Sequence, residues 1–103
     1  MKNRIDACFE KLKAENKKAL VTFITAGDPD MYTTEKCVLE MYKNGSDIIE
    51  IGVPFSDPIA EGATIQKASL RSLSGGTNLD KIFDLVRKLR TQTDKPMLLM
   101  MYI

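Results

Sequence analysis

Three short apolar runs, spaced by amphipathic helical segments, constrain this chain more than any other feature. The runs are Ala19 to Thr25, Asp47 to Val53 and Met97 to Ile103. Runs of this length and composition read as strands buried on both faces. Ile5, Cys8, Phe9 and Leu12 recur at helical spacing and predict a leading helix over residues 3–15. Gly27-Asp28-Pro29 punctuates the first run. Residues 30–44 then predict a second helix, with Thr34, Cys37, Val38 and Met41 on one face and Gly45 as its stop. A turn-rich stretch from Pro54 to Gly62 follows the second run. Ile65, Ala68 and Leu73 predict a short helix over residues 63–73, ended by Gly75-Gly76. Thr77 with Asp80 forms a capping-box-like start for the next helix. Its stripe is Leu79, Ile82, Phe83, Val86 and Leu89, and Lys95-Pro96 breaks it.

The order α-β-α-β-α-α-β implies an α/β fold with right-handed crossovers and a parallel sheet. Periodicity alone leaves a doubly wound sheet and a barrel both open. No repeat, low-complexity tract or linker divides the chain, so residues 1–103 read as a single unit. Lys plus Arg is 15 against 14 for Asp plus Glu, a formal charge of +1 that gives no reason to expect nucleic acid or an anionic membrane as partner. No apolar run is long enough to span a bilayer. Met1 to Asp6 lacks the apolar region of a secretory signal, so a cytoplasmic location is the default expectation. There is no histidine, which removes Ser-His-Asp and Cys-His machinery and most zinc sites. Acid–base chemistry must therefore use carboxylates, Lys, Tyr or Cys. Cys8 and Cys37 lack metal-like spacing and fall at apolar helix positions, where they are expected to behave as small buried hydrophobes.

Glu50 stands out within Ile48-Ile49-Glu50-Ile51-Gly52-Val53. A carboxylate near the C-terminal end of such a strand faces the place where α/β folds keep their sites. Burying a carboxylate disfavours its charged form, which suits proton transfer near neutral pH. The alternative is a structural carboxylate paired to a nearby Lys or Arg, and pattern alone does not choose between them. The loop Pro54 to Gly62 is long for a βα connection and carries Asp57 and Glu61. It reads either as functional or as a solvated loop with an Asx turn at Asp57. Phe23, Thr25, Met100 and Tyr102 lie toward the ends of the other runs, where core packing is the ordinary role. Met97, Met100 and Met101 likewise read as packing. Gly75-Gly76 follows no strand and has no phosphate-loop Lys, so it reads as helix punctuation.

Glu50-Ile51-Gly52-Val53-Pro54-Phe55-Ser56-Asp57-Pro58, continuing through Ala60-Glu61-Gly62 to Ile65-Gln66, resembles the signature segment of the tryptophan synthase alpha subunit family. Thr25-Ala26-Gly27-Asp28-Pro29 and the stretch from Pro96 to Tyr102 fit the same family, as does the leading helix. The resemblance covers essentially the whole chain. It implies a (β/α)₈ TIM barrel, a fold of about 250 residues, of which this chain would supply a leading helix and the first three βα units. It implies a lyase that cleaves indole-3-glycerol phosphate to indole and glyceraldehyde 3-phosphate without a cofactor or metal. The same resemblance implies a beta-subunit partner in an alpha2-beta2 complex. On this resemblance Glu50 is the catalytic acid–base. Phe23, Ile65 and Met100 line the indole pocket, with Thr25 and Tyr102 nearby. Pro54, Asp57 and Pro58 contact the beta subunit.

Two residues depart from the family pattern. Glu61 stands where Asp is usual, and that Asp accepts the indole N–H. The additional methylene adds about 1.5 Å of reach, and misplacement of that size can cost about a hundredfold; the loop can adjust, so on this resemblance Glu61 reads as the functional equivalent of that Asp and as the second catalytic carboxylate. Ala63 stands where Pro is common, which loosens the loop through chain entropy. The resemblance accounts for β1 to β3 only, whereas barrel phosphate sites come from later strands. Residues 1–103 alone are therefore expected to lack activity and, with open sheet edges, to self-associate. The alternative function is a non-catalytic interaction module that keeps only the beta-subunit contact loop.

Overall fold

The computed structural model describes residues 2–56 and 61–102. Helix α1 (Arg4–Ala14) leads. It is followed by β1 (Val21–Thr25), α2 (Met31–Lys43), β2 (Ile48–Gly52), α3 (Ala63–Ser74), α4 (Leu79–Arg90) and β3 (Met97–Met100). The sheet order is β1-β2-β3, and both pairings are parallel. The predicted alternation is present, with two helices between the second and third strands.

Local chemistry sets the element ends. The side chains of Asn3, Asp30 and Asn78 accept the backbone N–H groups of Asp6, Thr33 and Lys81, capping α1, α2 and α4. The expected cap at Thr77 is thus displaced by one residue. Thr77 Oγ1 instead lies 2.9 Å from Ser72 Oγ. Gly45, with φ +117°, follows α2 as predicted. The first strand starts at Val21 rather than Ala19, because Leu20 is tied to the turn before β2. Its N–H donates to Asp47 Oδ2, and its carbonyl accepts from the Asp47 and Ile48 N–H groups. The third strand ends at Met100, short of Met101 and Tyr102, and Ile103 lies outside the described residues. Its neighbour β2 offers one more N–H, from Val53 to the Met100 carbonyl, and then reaches Pro54, which has none.

Register assigns the two faces of the sheet. Ile49 and Ile51 on β2 share a face with Ile24 on β1 and with Met97 and Leu99 on β3. This face meets α2 and α4 in a core of Val38, Tyr42, Ile82, Leu85 and Leu89. Burying each such aliphatic side chain contributes about 1.5–3 kcal/mol. The buried Tyr42 hydroxyl donates to the Pro96 carbonyl, and this tyrosine was not among the expected core residues. Helix α2 turns an i, i+4 row of Thr34, Val38 and Tyr42 inward, which leaves Cys37 exposed, contrary to expectation. Cys8 is half-buried rather than buried, and burial, reinforced by Asp47, pushes its thiol up. Phe9, Leu79 and Phe83 were also expected on buried stripes and are exposed. In α4 the inward row is Ile82, Leu85 and Leu89, so Leu79 and Phe83 fall on its flank.

Candidate active site

The opposite face of the sheet holds Glu50. Register places Phe23, Glu50 and Leu98 side by side, with Thr25, Gly52 and Met100 forming the next row toward the strand ends. Phe23, Leu98 and Met100 are exposed on this face, Glu50 is half-buried, and Thr25 is buried. Gly52 leaves room for a neighbouring ring here. A Cβ added to it would lie 2.5 Å from Phe23 Cζ, so the Phe23 ring leans over β2 just beyond Glu50. Leu98 was not singled out in the sequence, although its two-residue spacing from Met100 was the available signal. Among the described residues, Glu50 forms no ion pair with Lys or Arg. The structural-pair alternative therefore has no support, and the carboxylate stands in an apolar row.

Glu61 lies just before Gly62, the N-cap of α3, where the helix dipole favours negative charge. It is half-buried, and its backbone carbonyl accepts from Gln66 Nε2 at 2.7 Å. Its Oε2 is buried and has no hydrogen-bond partner among the described residues. Leaving a buried acceptor unsatisfied costs about 1–3 kcal/mol, and more for a charged group. The atom is thus suited to receive a donor from a ligand.

The other expected site residues divide. Ile65 sits half-buried in the first turn of α3. Pro54 is buried directly after β2. Tyr102 stacks on Phe55, with centroids 4.8 Å apart. It lines a cleft of about 260 Å³ with Pro54, Leu79 and Ile82, rather than joining the Glu50 row. Asp57 and Pro58 lie outside the described residues. A cavity of about 830 Å³ opens at the other end of the strands between α1 and Lys95-Pro96. At its wall the Leu20 N–H donates to the Asp47 carboxylate.

Residues 9–103 match the profile of the family described as tryptophan synthase alpha chain. The chain belongs to that family. It is 58% identical over 100 residues to the tryptophan synthase alpha chain of Geotalea uraniireducens (strain Rf4), covering 97% of this chain and 38% of that protein. The crystal structure of tryptophan synthase subunit alpha from Legionella pneumophila str. Paris superposes with a TM-score of 0.96 at 44% identity. That match covers 99% of this chain and 39% of the other. A structure of the tryptophan synthase a2b2 complex from Pyrococcus furiosus matches 82% of this chain and 34% of its own, with a TM-score of 0.77 at 40% identity. The chain thus spans 38% of the length of the curated relatives it matches. In a tryptophan synthase alpha chain these strands are the first three of a (β/α)₈ barrel, preceded by a leading helix and not closed within this chain. The barrel replaces the doubly wound sheet that periodicity left open. No helix among the described residues is long and apolar enough to cross a membrane.

Proposed function

We propose that this chain is part of a lyase of tryptophan biosynthesis that splits indole-3-glycerol phosphate into indole and glyceraldehyde 3-phosphate. The observation that carries this reading is Glu50, a carboxylate without a cationic partner among the described residues, set between Phe23 and Leu98. The reaction breaks the bond between indole C3 and the adjoining glycerol carbon. The hydroxyl on that carbon loses its proton and becomes the aldehyde, and the electron pair returns to the ring as C3 gains a proton. One carboxyl group that takes and gives a proton serves both ends of this retro-aldol step, without a cofactor.

In this reading Glu50 is that group. Glu61 Oε2 accepts the indole N–H and stabilises the positive charge that develops on the ring. Phe23, Ile65 and Met100 wall the indole, with Thr25 and Tyr102 at its margin. Pro54, Asp57 and Pro58 face a beta subunit in an alpha2-beta2 assembly, which is supported by the a2b2 complex among the structural neighbours. A cytoplasmic location accords with this role. The phosphate anchor comes from strands beyond the three described here. No observation favours a non-catalytic interaction module.

The test is a turnover assay with indole-3-glycerol phosphate, using protein expressed from the complete reading frame. Equal amounts of indole and glyceraldehyde 3-phosphate are expected, rising on addition of a beta subunit. Absence of indole release with and without that partner would remove the reading.

A further inference from the structure

Helix α3 carries Ile65 and follows directly on Glu61-Gly62; it lies against β1, but Ala68 is its one buried hydrophobic residue, and none of its residues joins the main hydrophobic cluster. Its buried positions are Ala68, Ser69 and Ser72. Side chains this small let the helix approach closely but anchor it weakly. The directional ties on it are polar. Arg71 donates from Nε and Nη2 to the two carboxylate oxygens of Asp28, at 2.8 and 2.9 Å. Ser72, fully buried, donates from Oγ to the Ala26 carbonyl and lies 2.9 Å from Thr77 Oγ1. Gly27 admits this approach. Its φ is +81°, and an added Cβ would lie 2.1 Å from Thr77 Oγ1 and 2.6 Å from Ser72 Oγ. On its other side the same turn is fixed to α2. The Gly27 N–H donates to Thr34 Oγ1 at 2.9 Å, and Thr34 is fully buried in the helix that carries Val38 and Tyr42.

We propose that Arg71, Ser72 and Thr77 are positioning residues, a polar clip that fastens α3 to the turn after β1 and so sets Ile65 and Glu61 relative to Glu50. The inference rests on the lyase reading for its catalytic consequence, although the clip itself stands on geometry. Position passes from the core to α2, through Thr34 to the turn at 26–28, across the clip to α3, and through Gln66 Nε2 to the Glu61 carbonyl. Ile65 lies seven residues before Ser72, about 10 Å along the helix axis. A tilt of α3 by about ten degrees at the clip moves Ile65 by between 1 and 2 Å, on the order of the displacement that costs a hundredfold in rate. The Arg71 fork also holds the Asp28 carboxyl below the usual carboxylate range, as a formed ion pair should.

The experiment uses protein from the complete reading frame and compares Arg71→Leu, Ser72→Ala and the charge exchange Asp28→Arg with Arg71→Asp. Turnover of indole-3-glycerol phosphate is read beside amide hydrogen exchange in α3 and α4. The single variants are expected to lower kcat/KM by about tenfold or more, with faster exchange across α3 and unchanged protection in α4. The charge exchange is expected to recover part of both losses. Parent-like kcat/KM and α3 protection in Arg71→Leu and Ser72→Ala would overturn the clip, as would equal loss of protection in α4. If the parent itself releases no indole, the lyase reading fails while the exchange arm still decides the clip.

Discussion

Helices α3 and α4 follow one another between the same two strands and have equal length, 12 residues each, yet they are held by opposite means. Helix α4 buries Ile82, Leu85 and Leu89 in the core, whereas α3, which lies against β1, buries only the small Ala68, Ser69 and Ser72 and is tied by hydrogen bonds to the turn after β1. Apolar burial is non-directional and scales with area, so it decides which layer a helix joins. Hydrogen bonds are directional, so they decide where along and around its axis a helix sits. The helix at the sheet's site end is the one held by direction, and the helix that supports the layer is the one held by area.

Leu89→Ala strikes the area-held helix and has the largest expected effect, a loss of about 2–5 kcal/mol of global stability in denaturant unfolding. Gly27→Ala strikes the other. It forces a Cβ into a positive φ and against Thr77, and is expected to cost about 1–3 kcal/mol; hydrogen exchange should place the loss in α3 before α4. Ser72→Ala removes one buried donor and is expected to cost about 1 kcal/mol, again read as local opening of α3. A loss in Ser72→Ala as large as that in Leu89→Ala would erase the contrast between the helices.

Acidification should have the smallest effect. The Asp28 carboxyl is lowered below 3.8 by its hydrogen bonds to Arg71, so its contribution is complete above the unfolded value and is lost as pH falls through the folded one. Arg71 is more than half exposed, so solvent screens the pair. Lower α3 protection below about pH 4, measured against the unfolded-chain exchange rate at the same pH and ahead of any change in α4, is expected. The reverse order would assign the acid sensitivity elsewhere.

The strands were legible as short apolar runs between helical segments, although only β2 is buried at nearly every position, while β1 and β3 leave Phe23, Leu98 and Met100 exposed on one face; Glu50 was legible because it breaks the apolar pattern of β2. Leu98 escaped notice because one more apolar residue in an apolar run carries no local mark. The cap of α4 was misplaced by one residue because Thr77 and Asn78 are both good capping residues, and only the tertiary contact between Thr77 and Ser72 separates them. In helix α2 the sequence favours Cys37 over Tyr42 because both flank the Thr34–Val38 row, and only the tertiary hydrogen bond from the Tyr42 hydroxyl to the Pro96 carbonyl shows which flank is buried. The clip had no signal at all. Asp28 and Arg71 stand 43 residues apart, and neither breaks a periodic pattern where it stands.

Glu50→Gln tests the central claim most directly, in protein expressed from the complete reading frame. The amide has nearly the shape of the carboxyl group but cannot exchange the proton. Turnover of indole-3-glycerol phosphate is expected to fall by about a hundredfold to ten-thousandfold, with amide protection of α3, α4 and the strands unchanged and beta-subunit binding retained. Parent-like turnover in a correctly folded Glu50→Gln protein would contradict the assignment and take Glu50 out of the reaction.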